Sequence, residues 1–290
     1  MKRALALFLA VSAVFATEAA DKSIVLIAGT PSHGKAEHEF RAGALLLSDC
    51  LAKIPGIRPT VVSNGWPADV SVLLSADAVL LFADGGSGHP AIRPERLKLL
   101  DGLAAKGVGI GTAHYGVEVP AGEPGFAMLR WTGGYFEMFW SVNPTWTARF
   151  DRFPEHAVTR GVKPFQMHDE WYYHMRFAPG MEGVTPILSV VPPKETVGAN
   201  GPHSGNPFVR AEVARGEAQT LMWTYDRPAS LGGGRGFGFT GGHYHKSWGD
   251  DNFRKLVLNA LVWIAKGDVP ADGIPSTVTQ EQLKKNLDPK

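Results

Sequence analysis

Five histidines follow apolar runs and sit beside glycines: His33 in Thr30-Pro31-Ser32-His33-Gly34, His89 in Gly85-Gly86-Ser87-Gly88-His89, His114 in Thr112-Ala113-His114-Tyr115-Gly116, and His243 and His245 in Gly241-Gly242-His243-Tyr244-His245. They are half of the chain's 10 histidines. Imidazoles gathered in one place do two things well. They bind a divalent metal through neutral ring nitrogens, or they move protons near neutral pH. His33, His114, His243 and His245 are therefore candidate ligands for one divalent ion, zinc or similar. His33, His114 and His243 are equally candidates for acid–base catalysis. Any one of them alone reads as an ordinary polar turn residue; the set is what points to a site. Neighbouring glycines let the backbone approach a ligand closely.

A further candidate lies in Met167-His168-Asp169-Glu170-Trp171-Tyr172-Tyr173-His174. Adjacent carboxylates in an extended segment point opposite ways, so one of Asp169 and Glu170 faces a cleft. Glu170 is the one favoured, and its neighbour Trp171 would raise its pKa and suit it to general acid or base work. Asp84, His89 and Tyr115, in the same loops as the histidines, are candidate binding residues. Trp171 and Trp248 are candidate aromatic faces for the C–H side of a sugar ring, although most tryptophans of the chain belong in a core.

The elements that must position these residues follow from periodicity. Ser23 to Gly29 is a continuous apolar run suited to a strand covered on both faces. Glu37 to Ala52 reads as an amphipathic helix with Cys50 on its buried stripe. Thr60–Val62 and Ala78–Phe82 are further strands, Pro94 opens a helix through Leu97, Leu100 and Ala104, and Val108–Thr112 is a fourth strand. Strands alternating with helices mean a mainly parallel sheet, whose ligands bind beyond the carboxyl ends of the strands. The candidate histidines fall at that end. A Gly-, Pro- and aromatic-rich stretch, about 115–206, reads as an insertion or lid with short strand-like pieces such as Val184–Val191. The core rhythm resumes with strands at Thr220–Trp223 and Gly236–Thr240 and a helix through Phe253–Ile264 closed by Gly267. A Pro-rich tail, 268–290, carries a short polar helix near Gln280–Leu287.

The 290 residues, 44% of them apolar, suffice for one large domain with a sizeable core. Lys and Arg number 29 against 28 Asp and Glu, which removes the basic footprint of a nucleic-acid binder. Lys2 and Arg3 followed by the apolar run Ala4–Phe15 read as a signal peptide, residues 1–19, cut after Ala16 or Ala19. The expected product is a domain over residues 20–267 that is periplasmic or secreted and not inserted in a membrane, since no later run is long enough to span one. The turn after the fourth strand holds no Cys, which excludes thioester chemistry of the glutamine-amidotransferase kind. No Gly-x-Ser-x-Gly elbow is present. Gly232-Gly233-Gly234-Arg235-Gly236 lacks the order of a dinucleotide or P-loop motif, so no nucleotide cofactor is expected.

Four blocks together resemble the trehalose-utilisation (ThuA-like) family: Ser32-His33-Gly34 with His38-Glu39-Phe40-Arg41, then Asp84-Gly85-Gly86, then Asp169-Glu170-Trp171-Tyr172, and finally Gly241-Gly242-His243 with Trp248, Asn252-Phe253-Arg254, Asn259-Ala260 and Trp263. The similarity runs from about Lys22 to Lys266. It implies a flavodoxin-like, doubly wound α/β fold of the class I glutamine-amidotransferase type without that enzyme's Cys. It also implies a place in sugar catabolism, with a small carbohydrate as partner: a lyase or hydrolase acting on glycosides or disaccharides, in particular their 3-keto forms. The alternative is a non-catalytic sugar-binding or partner-binding module on the same fold.

Overall fold

The computed structural model describes residues 21–289; the expected signal peptide lies outside them. Eleven strands are present among the described residues: β1 (Lys22–Ala28), β2 (Ile57–Val62), β3 (Ala78–Phe82), β4 (Gly109–Ala113), β5 (Gly134–Tyr135), β6 (Thr145–Phe150), β7 (Phe165–Glu170), β8 (Arg176–Phe177), β9 (Val184–Val190), β10 (Gln219–Asp226) and β11 (Arg235–Phe239). The helices are α1 (Phe40–Leu51), α2 (Ser71–Leu74), α3 (Pro94–Ala105), α4 (Glu123–Thr132), α5 (Pro207–Ala214), α6 (Asp251–Ile264) and α7 (Gln280–Leu283).

Seven strands form the main sheet in the order β2-β1-β3-β4-β11-β10-β9. The first five are mutually parallel, whereas β10 and β9 pair antiparallel at the far edge. β2 contains Pro59, tolerated because it is an edge strand. Alternation along the parallel strands divides the core into two layers. Ile24, Leu26, Leu80 and Phe82 pack with α1 and α6, while Val25, Ile27, Val79 and Leu81 pack with α3 and α4. Each such buried side chain contributes about 1.5–3 kcal/mol. The doubly wound, mainly parallel sheet expected from the sequence is therefore present. Among the described residues no helix is long and apolar enough to cross a membrane.

Two local departures from the sequence reading position the site. Helix α1 begins at Phe40 rather than Glu37. Glu37 pairs instead with Tyr244 in an isolated bridge, and the His38 N–H donates to the His243 carbonyl at 3.0 Å. The stretch read as an insertion also contributes to the sheet itself: the Val184–Val190 piece is its outermost strand. The remainder forms the β6–β7 and β5–β8 ribbons beside the carboxyl edge.

Candidate functional site

At the carboxyl ends of β1, β4 and β11, three imidazoles converge. His38 Nε2 lies 2.9 Å from His243 Nδ1 and 3.0 Å from His114 Nε2. The end of β7 brings Glu170 Oε2 to 3.2 Å from His243 Nδ1 and 3.5 Å from His114 Nε2. Tyr172 donates its hydroxyl to Glu170 Oε2 at 3.1 Å and lies 3.3 Å from His114 Nε2. His33 is stacked on His38 with centroids 3.6 Å apart, its own side chain 41% exposed at the mouth.

The outer nitrogens are tied to the scaffold. His114 Nδ1 donates to the Thr240 carbonyl at 2.9 Å. His38 Nδ1 faces Asp84 Oδ1 at 3.4 Å, and the same oxygen accepts from Ser32 Oγ at 2.8 Å. These contacts set the tautomers, because a ring nitrogen that donates outward leaves the other with a bare lone pair. Two lone pairs thus face one another across 3.0 Å between His38 and His114, which is repulsive unless a cation lies between them. Tetrahedral ligands at about 2.0–2.1 Å from a zinc ion stand roughly 3.3 Å apart. The nitrogen–nitrogen separations of 2.9 and 3.0 Å are close to that spacing, and Glu170 Oε2 stands beside them, 3.2 and 3.5 Å from His243 and His114. The residues present fit a divalent cation.

The electrostatics agree. Burial, then the neighbouring imidazoles, holds His114 well below the ordinary histidine value; burial likewise lowers His38 against the opposing pull of Asp84. Both are neutral, as ligands must be. Burial pulls His243 down, but the Glu170 carboxylate outweighs it and the net shift is upward. Burial pushes the Tyr115 phenol up to about 12, aided by Glu118, Asp84 and Glu170, so it stays protonated as a donor.

Three of the site's histidines carry strained backbone. His33, His38 and His114 have φ of 59°, 45° and 49°, in a region that side-chain-bearing residues rarely adopt. Asp169 turns away from Glu170, as adjacent strand residues must, and accepts from the His243 N–H at 2.9 Å and the Ser247 hydroxyl at 2.6 Å. It positions the His243 loop without touching the cluster.

The structure therefore brings together His33, His114, His243, Glu170, Asp84 and Tyr115. Four other candidates lie elsewhere. His89 is buried; its Nε2 donates to the Gly116 carbonyl at 3.2 Å and its Nδ1 accepts from the Ala91 N–H at 3.1 Å, and burial drops its pKa to about 4. It is a neutral rivet between two loops. His245 is buried at the start of a short helical turn, outside the ligand group, because the extended Tyr244 (φ −90°, ψ 122°) sends residues 243 and 245 to opposite sides. Trp171 is fully buried against Phe150, Phe239 and Phe253 and donates its indole N–H to the Met167 carbonyl. Trp248 is fully buried against Phe82, Phe239 and Phe253. The adjacent glycines serve packing here: a Cβ on Gly241 would stand 2.6 Å from the Trp171 ring.

Sequence reasoning missed His38, the centre of the cluster, because it was counted into the helix. It also missed Tyr172, and the buried Glu118 that accepts from His203 Nε2 at 3.2 Å beside Tyr115. A histidine at a helix boundary was the available cue for His38; for Glu118 and His203, 85 residues apart, there was none.

The architecture is similar to that of a ThuA-like protein from Bacteroides uniformis, with a TM-score of 0.59 and 17% identity over 89% of this chain and 98% of that one. A ThuA-like protein from Parabacteroides merdae gives a TM-score of 0.56 and 16% identity, over 90% of this chain and 94% of that one. At such identities the likeness concerns the fold. No curated protein matches the chain. The model of the ThuA family, described as trehalose utilisation, matches residues 34–264, most of the sequence, and the chain belongs to that family.

Proposed function

We propose that the protein is an exported carbohydrate-active enzyme that cleaves keto-glycosides or keto-disaccharides by acid–base chemistry. The observation that carries this is the pair of lone pairs set against each other at His38 and His114, beside the Glu170 carboxylate. Family membership supports a carbohydrate-related role, and residues 1–19 support export.

His38, His114 and His243 would hold a divalent cation, leaving one coordination position open as three-imidazole catalytic sites do. Bound there, it would supply a Lewis acid for the keto oxygen of the sugar. The chain's own residues do the proton work. Glu170, kept in place by the Tyr172 hydroxyl, accepts the proton from the carbon between the keto group and the anomeric centre. The electron pair of that C–H bond becomes a carbon–carbon double bond as the glycosidic C–O bond breaks, and the departing oxygen takes up a proton. Addition of water across the double bond then completes a net hydrolysis. Tyr115, protonated throughout the neutral range, donates to a substrate oxygen at the mouth, beside the exposed His33 ring.

The test is incubation with paired glucosides and their 3-keto forms, with and without chelator. Aglycone release is expected from the keto forms alone, lost with chelator and restored by zinc. Glu170→Gln should lower it by at least about a hundredfold with the metal retained. Binding of both sugar forms without any release would favour the sugar-binding module, and turnover indifferent to chelator would end the metal assignment.

A further inference from the structure

The loops after β1, β2 and β3 line a half-open cavity of about 260 Å³, bounded by Thr30, Asn64, Trp66, Asp84, Pro90 and Arg96 among others. It meets the histidine cluster at one residue, Asp84. We infer that this cavity is a subsite for the second ring of a two-ring sugar whose first ring lies at the cluster; the inference rests on the carbohydrate reading above.

The lining selects the ligand class. One carboxylate and one guanidinium leave the cavity without net charge, which suits a neutral polyol better than a phosphate or a carboxylate. Trp66 is half-buried on the α3 side of the core, and the Arg96 guanidinium sits 5.1 Å from its ring centre. Arg96 is itself tethered, donating to the Pro90 carbonyl at 2.7 Å. The indole and the guanidinium over it thus form one held wall, apolar along the indole edge and donating at the guanidinium, against which a single pyranose can pack. Asn64 (φ 63°) and Gly65 (φ 90°) form a left-handed turn anchored by the Gly65 N–H on the Ala28 carbonyl at 2.8 Å, which presents an exposed amide at the rim. The cavity, about 260 Å³, is small for a ligand site, and a single ring suits it better than two.

Asp84 links the two places. It meets His38 and Ser32 through Oδ1, so Oδ2 remains for a sugar hydroxyl on the cavity side. A ring in the cavity then adjoins a ring at the mouth of the cluster, where the His33 side chain is exposed, with Asp84 between them.

Calorimetric titration of the zinc-loaded protein with trehalose and with methyl α-glucoside tests this. The wild type should bind trehalose at least about fivefold more tightly than the one-ring glucoside. Trp66→Ala should abolish that difference, and Asn64→Ala, at an exposed position, should narrow it; both should leave zinc content and methyl glucoside affinity unchanged. Equal affinities in the wild type, no binding of either sugar, or equal weakening of both sugars by Trp66→Ala would overturn the subsite. Failure of the catalytic reading looks different: no aglycone release from keto-glycosides, with the two-ring preference intact.

Discussion

The loop after β3 and the loops after β4 and β11 carry histidines at the same edge of the same sheet, yet the fold uses them differently. His89 has an ordinary extended backbone (φ −61°, ψ 127°), and the main chain consumes both of its ring nitrogens. His114 has φ 49°, and the main chain consumes one nitrogen while the other faces His38. A histidine becomes a ligand when its scaffold occupies one nitrogen and leaves the second among other donors. Position at a strand end is shared by both loops and does not discriminate.

The comparison breaks most sharply by deleting the central imidazole. His38→Ala should lose the bound divalent metal and lower keto-glycoside turnover by more than about a thousandfold, whereas His89→Asn should keep both. Metal analysis of the two purified variants beside a turnover assay decides it; equal metal content would remove the distinction.

The next effect is on stability. His89 binds a proton near pH 6.5 when unfolded and only near 4 when folded, through burial. Between those values unfolding takes up a proton, so the contribution is complete above pH 6.5 and is lost as the pH falls towards 4. The loss is on the order of 3 kcal/mol. Denaturant titrations at pH 7 and pH 4.5 should show a smaller drop for His89→Asn than for the wild type; identical drops would mean that His89 is not neutral in the folded chain.

Asp169 sharpens the other side of the comparison. Asp169→Ala removes the acceptor of the His243 N–H and the Ser247 hydroxyl while leaving all four converging groups in the chain. Zinc affinity should fall by about 10- to 100-fold, read by competition with a chromophoric chelator. Unchanged affinity would show that the His243 loop holds its place unaided. The smallest effect belongs to the core: Trp171→Phe should cost about 1–2 kcal/mol of stability and leave KM for the keto-glycoside unaltered. A raised KM would return Trp171 to the site.

Much of the frame was legible because its cause is local. Ile24–Ala28, Ala78–Phe82 and Gly109–Ala113 are uninterrupted apolar or small-residue runs, and a strand covered on both faces requires that pattern wherever it sits. The opposed directions of Asp169 and Glu170 were legible for the same reason, since the period of an extended chain is two. The glycines before His243 misled: they read as room for a ligand, and in the fold Gly241 is room for the Trp171 ring and Gly242 lies against that of Trp248.

What the sequence determined by itself is the doubly wound sheet and the edge at which polar loops collect, because periodicity and glycine placement act over a few residues. Which of those loop residues meet was decided by the tertiary structure alone. His38, His114, Glu170 and His243 come from four separated segments. Their convergence depends on the strand order β1-β3-β4-β11, and on a helix that starts at Phe40 so that His38 can leave it. Orientation of an imidazole is set by what its outer nitrogen bonds, Thr240 for one and Asp84 for another. Those partners lie 126 and 46 residues away, beyond the reach of any local pattern.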